Sequence, residues 1–260
     1  MACRVLVVVC ALVVAGCAGP PPPSAPPEPL QAPELDVETT LPGPPVVAYL
    51  TPPPGEPVVD RILASPLMRD PEFQAEVADW IDYWSRSARR WFPDYLYRMG
   101  SFEQTVDSAL AQRGMPPSLR YLPLIESGYN PRARSHASAV GMWQFMPGTA
   151  RELGMEVSAF VDERRDPFMS TMAAMGFLQD LHATFDESWF LALAAYNGGP
   201  NRARRILREQ APLAQHSDSL FWALREHWPR ETREFVPKLV GAIIVAQDPE
   251  EYGFGEVERA

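Results

Sequence analysis

From Asp70 onward apolar residues recur at helical spacing, whereas before about Val58 no such periodicity exists. Asp70-Pro71 is a helix start, with a carboxylate to cap and a proline at the first helical position, and Phe73, Val77, Trp80, Ile81 and Trp84 follow on one face. Ser101-Phe102-Glu103-Gln104 reads as a capping box ahead of Val106, Ala109 and Leu110, with Gly114 as the stop. Leu119 to Ile125 is apolar apart from Arg120, which predicts a buried helix with Glu126 at or near its end. Residues 148–152 open a short helix that Gly154 ends. Asp166-Pro167 starts another, whose packing face is expected to be Met169, Met172, Ala173, Gly176, Phe177, Leu181 and Phe185. Ser188 to Asn197 leads into a basic helix from Asn201 to about Glu209, and a last helix runs from about Glu231 to Ala246, with Phe235, Leu239 and Ile243 inward. No segment alternates with period two, so the fold is expected to be all-α, about eight short helices around one core.

The N-terminal part is of another kind. Met1-Ala2-Cys3-Arg4 precedes the apolar run Val5 to Val14 and then Ala15-Gly16-Cys17, the make-up of a secretory signal too short to span a membrane. About half of the 29 prolines fall within the first 57 residues, a composition that favours extended polyproline conformation over a core. The expected organisation is a signal peptide over 1–16, a Pro-rich tether over 17–57, a folded domain over 58–250 and a tail over 251–260. All three cysteines lie in the leader, so the domain is expected to hold neither a disulfide nor a cysteine-ligated metal. The four histidines have no ligand spacing, and neither metal nor cofactor is expected. A net charge of −10 argues against nucleic acid as a partner.

The chemistry gathers in residues 126–147. Glu126 ends an apolar run, a polar loop rich in Ser, Asn and Arg follows, and Gly141-Met142-Trp143-Gln144-Phe145-Met146-Pro147 closes the stretch. Such a mixture of apolar walls and fixed polar groups suits a groove for a polar, ring-shaped ligand. Desolvation beside Pro123, Leu124 and Ile125, together with the negative end of a helix, would keep a proton on Glu126 near neutral pH, as a general acid requires. From local composition alone, a glutamate that merely caps or solvates a helix end is an equal reading. Asn197-Gly198-Gly199-Pro200 is both a helix stop and a candidate ligand contact.

Glu126-Ser127, Gly141 to Pro147, Ala195-Tyr196-Asn197 and Glu231-Thr232 resemble, in order and spacing, the motifs of the family 1 lytic transglycosylases. Residues 161–168 look like the membrane-bound lytic transglycosylase D branch, and the resemblance covers roughly residues 75–247. It implies a fold like goose-type lysozyme and a peptidoglycan glycan strand as substrate. By the same resemblance Glu126 is the sole catalytic acid/base, and Ser127, Ser135, Gln144, Met146, Asn197 and Glu231 contact the substrate. Tyr196 is similar to the tyrosine that hydrogen-bonds the catalytic glutamate. Phe235 stands where a tyrosine is frequent, and no stretch up to Ala260 resembles the LysM modules often found in the D branch. The implied product is a 1,6-anhydroMurNAc end formed without water. A hydrolytic muramidase using Asp162, Glu163, Asp166 or Glu231 as base, and a wall-binding lipoprotein without activity, are the alternatives. Val14-Ala15-Gly16-Cys17 resembles a lipobox, which implies lipidation of Cys17 and, with Ala18 next, a place on the periplasmic face of the outer membrane; a monomer is expected.

Overall fold

The computed structural model describes residues 60–255 and 260; the signal, the tether and Cys17 lie outside the described residues. Among those described there are nine α-helices, with short 3₁₀ turns and one π-helical turn (Tyr83–Ser87) among the connections, and three isolated β-bridges in place of strands. They are α1 (Pro71–Asp82), α2 (Phe92–Gln112), α3 (Leu122–Ser127), α4 (Pro147–Glu152), α5 (Pro167–Thr184), α6 (Trp189–Gly198), α7 (Pro200–Gln210), α8 (Asp218–Ala223) and α9 (Arg230–Gln247). The all-α expectation holds, with one helix more than foreseen.

Local signals explain most of the helix starts. The Asp70 carboxylate accepts from the Phe73 N–H at 2.9 Å, Asp166 from Met169 at 2.8 Å and Ser188 from Leu191 at 3.3 Å, each supplying one partner that the first turn lacks. α6 is the hub. Every residue from Trp189 to Ala195 is buried, and the helix packs on α5, α7, α8 and α9. A helix apolar all round has nowhere stable but an interior.

Two expectations fail here. Ser101 does not start a helix but sits exposed midway along α2, because the buried stripe Phe92, Leu96, Met99, Val106 and Ala109 runs on through it. Continuous burial overrides a local capping pattern. For α5 the expected face holds only in part: Leu181 and Phe185 are buried and Met172, Ala173 and Phe177 are half-buried against the core, but Met169 is 40% exposed and the fully buried positions include Ser170, Thr171, Ala174, Met175 and Leu178. That helix has apolar side chains on several faces, so periodicity could not choose the one facing the core. The expected tail also packs on the domain: Phe254 lies 5.3 Å from the Phe92 ring and Arg89 caps it at 5.3 Å. For the last helix the expectation holds, and Phe235, Leu239, Ile243 and Ala246 are all buried.

Candidate active site

A 3₁₀ turn over Pro117–Tyr121 leads into α3, whose residues Leu122 to Ile125 are buried. The helix ends one residue past Glu126, where Gly128 adopts φ 58° and the N–H groups of Gly128 and Tyr129 close on the carbonyls of Leu124 and Pro123 at 3.0 and 3.1 Å. Only glycine fits at 128: an added Cβ would lie 2.5 Å from the Tyr95 ring. Glu126 is thereby fixed in the last turn of a short helix with its carboxyl at the edge of a cleft.

The loop from 129 to 146 forms one wall. Tyr129 is fully buried and its hydroxyl donates to the Arg120 carbonyl at 2.5 Å. The Ser127 hydroxyl donates to the Met142 carbonyl at 2.9 Å, tying the end of α3 to the loop. Trp143 is buried with its indole N–H on Thr171 at 3.0 Å. Arg164, 5% exposed, makes a two-pronged pair with Asp162 at 2.8 Å and donates to the carbonyls of Ser138 and Phe145 at 3.0 Å. Gly141, at φ 86°, passes so close that a Cβ would lie 1.8 Å from the Arg164 carbonyl oxygen. Pinned in this way, the loop presents Ser135, whose hydroxyl accepts from the Ala139 N–H at 3.0 Å, and Gln144, whose amide donates to the Gly141 carbonyl at 2.8 Å.

The opposite wall comes from α6 and α9. Asn197 joins them: its side-chain oxygen accepts from Thr232 at 2.9 Å and its amide lies 3.5 Å from Glu231. Between the walls are two adjoining lobes. One, of about 410 Å³, is lined among others by Met146, Phe177, Tyr196 and Pro200. The second, of about 270 Å³, is lined by Trp80, Ile125, Glu234, Phe235 and Lys238. Glu126, Ser135, Gln144, Asn197 and Glu231 line both, so Glu126 stands where the lobes meet.

Seven residues nominated from sequence therefore gather in one cleft: Glu126, Ser135, Gln144, Met146, Tyr196, Asn197 and Glu231. Ser127 does not line it, and its hydroxyl is used within the scaffold. Tyr196 reaches the cleft but donates its hydroxyl to the Trp143 carbonyl at 2.7 Å, not to Glu126. The carbonyl of a buried turn is the acceptor it meets first. Lys238, Trp80 and Phe177 were not foreseen. A single lysine on an amphipathic helix reads as solvated, and Trp80 reads as core, so local pattern carried no signal for either.

Burial, with a contribution from Glu231, pushes the Glu126 carboxyl up from 4.5 to about 7, against the opposing pull of Lys238. Burial, and then the negative charge of Glu126, hold the Tyr196 phenol well above its ordinary range, so it stays a donor. The carboxylates weighed as alternative bases are mostly engaged elsewhere. Hydrogen bonding to Arg164 holds Asp162 below the usual range, Asp166 caps α5, and Glu163 accepts from the Glu156 N–H at 2.6 Å. Among the described residues no three His, Cys, Asp or Glu side chains converge to hold a metal.

Residues 105–218 match the family described as Transglycosylase SLT domain. The chain is 34% identical over 160 residues to membrane-bound lytic murein transglycosylase D of Escherichia coli (strain K12), covering 62% of this chain and 34% of that protein. A protein of Alteromonas sp. (strain M-1), provisionally named for tributyltin chloride resistance, is 37% identical over 124 residues, covering 48% of this chain and 56% of its own length. The solved lytic transglycosylase Slt of Pseudomonas aeruginosa aligns with a TM-score of 0.46 at 26% identity, over 58% of this chain and 24% of that one. This chain thus spans about a third of the E. coli relative and just over half of the Alteromonas protein. The helical domain that holds Glu126, Gln144 and Tyr196 is thus similar, over residues 105–218, to the transglycosylase SLT domain.

Proposed function

We propose that the chain is a peptidoglycan lytic transglycosylase that cleaves the β-1,4 bond between MurNAc and GlcNAc and leaves a 1,6-anhydroMurNAc end. The observation that carries this is the place of the Glu126 carboxyl at the junction of the two lobes, where burial pushes it up to about 7, into the range a general acid and base needs. Protonated, Glu126 gives its proton to the glycosidic oxygen as the C1–O bond breaks. As carboxylate it then takes the proton of the muramyl C6 hydroxyl while O6 closes on C1 of the same sugar. The proton returns to Glu126 and no water is consumed. An attacking group in the same ring has a high effective concentration, which makes a second carboxylate dispensable. Gln144, Ser135 and Asn197 supply fixed polar groups along the cleft, with Met146 and Phe177 as its apolar surface.

A second reading, hydrolysis, is favoured by one observation: Glu231 lines both lobes with Glu126 and could activate water. In the cell we place the enzyme as a monomer on the periplasmic face of the outer membrane, anchored by acyl chains on Cys17; the lipobox-like leader and the membrane-bound relative support this. The test is mass spectrometry of products released from purified peptidoglycan, beside Glu126→Gln. Anhydromuramyl ends that fall at least about a thousandfold in the variant are expected. Reducing ends would make water the nucleophile, and binding without release by either protein would leave a wall-binding lipoprotein.

A further inference from the structure

Lys238 lies outside the four motifs named above and outside residues 105–218. Its place is set by the packing of α9 on α1. At Gly241 the two helices come so close that a Cβ would lie 2.8 Å from Trp80 Cβ. This approach carries Lys238 Nζ over two indoles, 5.8 Å from the centroids of both Trp80 and Trp84. The Trp84 indole N–H donates to the Lys238 carbonyl at 3.1 Å, so one lysine is gripped at its backbone and near its tip. Nζ then donates to the Ile125 carbonyl at 3.4 Å, part of the peptide unit that leads into Glu126. Among the residues lining either lobe, Lys238 is the one basic side chain.

A lysine kept for packing extends its stem and turns the ammonium to water. This one is drawn inward to aromatic faces and a backbone carbonyl beside an acid. We propose that Lys238 is a positioning residue of the site: clamped by Trp80 and Trp84, its ammonium anchors the Ile125–Glu126 peptide and sets a fixed positive charge beside the Glu126 carboxyl. The effect on turnover rests on the proposed role of Glu126; the effect on Glu126 itself does not.

A residue that must give a proton and then take one cannot hold it too tightly. Burial and Glu231 favour the protonated form of Glu126, and Lys238 acts against both. The groups facing this pair are Glu231 and Glu234 on α9 and the Tyr196 phenol on α6. Burial lowers the amine of Lys238, and Glu126, Glu231 and Glu234 raise it in turn.

The experiment follows the Glu126 carboxyl by ¹³C NMR in the full chain, assigned with Glu126→Gln, in wild type, Lys238→Met, Lys238→Gln and Lys238→Arg. Alongside, kcat/KM on purified peptidoglycan is measured against pH. In Lys238→Met the Glu126 midpoint should rise by about half a pH unit or more, and the basic limb of kcat/KM by the same amount. Arginine should bring both back towards wild type. Lys238→Gln keeps a donor for the Ile125 carbonyl and loses only the charge, so it decides the matter if Lys238→Met fails to fold. A folded neutral variant whose Glu126 titrates where the wild type does overturns the proposal. If no protein turns over peptidoglycan, the proposed activity fails while the NMR midpoint still judges Lys238.

Discussion

On the loop side of the cleft, Arg164 spends its guanidinium on a two-pronged pair with Asp162 and on two backbone carbonyls. On the helical side, Lys238 has one long hydrogen bond and two ring faces, and burial still pushes the carboxyl near it up to about 7. Both cations are drawn in from water next to the same groove. One is saturated with partners and can only hold the loop in place. The other leaves charge unbalanced, and an unbalanced site can change its protonation within reach of a ligand. The difference separates the scaffold of this cleft from its chemistry.

The largest effect should come from breaking the loop side. Gly141→Ala puts a Cβ into the Arg164 carbonyl at a φ of 86°, and a pinned backbone cannot yield. We expect a loss of more than about 3 kcal/mol, read as a lower urea midpoint, with turnover lost as the wall collapses. Arg164→Met takes the two-pronged pair from Asp162, which keeps only the longer 3.7 Å contact with Arg165, and leaves two carbonyls without their donor. It should cost about 3 kcal/mol by the same measurement, because the stranded groups lose more than the pair contributed.

On the helical side the sign reverses. Between pH 4.5 and about 7 the folded chain keeps a proton on Glu126 that the unfolded chain has lost, so stability falls as pH rises through that window. Glu126→Gln removes this penalty. It should unfold about 2 kcal/mol later than wild type at pH 8 and nearly together with it at pH 4, by urea denaturation at the two pH values. A variant less stable than wild type at pH 8 would show that Glu126 is part of the scaffold after all. The smallest effect belongs to the seam between the two sides. Tyr196→Phe removes the bond to the Trp143 carbonyl and should cost about 1 kcal/mol, with turnover reduced less than tenfold. A loss as deep as that of Glu126→Gln would mean that the hydroxyl acts on Glu126 directly during the reaction.

Read from the sequence, the site was legible where the signal is local. Asp70-Pro71 and Asp166-Pro167 mark helix starts because a cap and a proline act within one turn. Glu126 could be placed at a helix end because an apolar run stops there and glycine follows. The family resemblance supplied seven cleft residues, six within its four ordered motifs and Ser135 in the loop between them, and the structure brings all seven together. Where several solutions satisfy the same local pattern, the reading failed. Ser101 looks like a cap but lies on a stripe that stays buried, and α5 could have turned any of its apolar faces inward.

The sequence by itself determined that this chain has an all-α domain and where most of its helices begin, and it nominated Glu126 as the carboxyl of a polar groove. Those properties depend on neighbours within a few residues, or on spacing along one strand of text. Only the tertiary structure decided that Tyr196 bonds to Trp143, that Ser127 braces the loop, and that Lys238 comes to rest on two indoles beside Glu126. Each of these depends on how closely two distant segments approach. For Lys238 that distance is set by the missing side chain of Gly241 against Trp80, more than a hundred residues earlier in the chain.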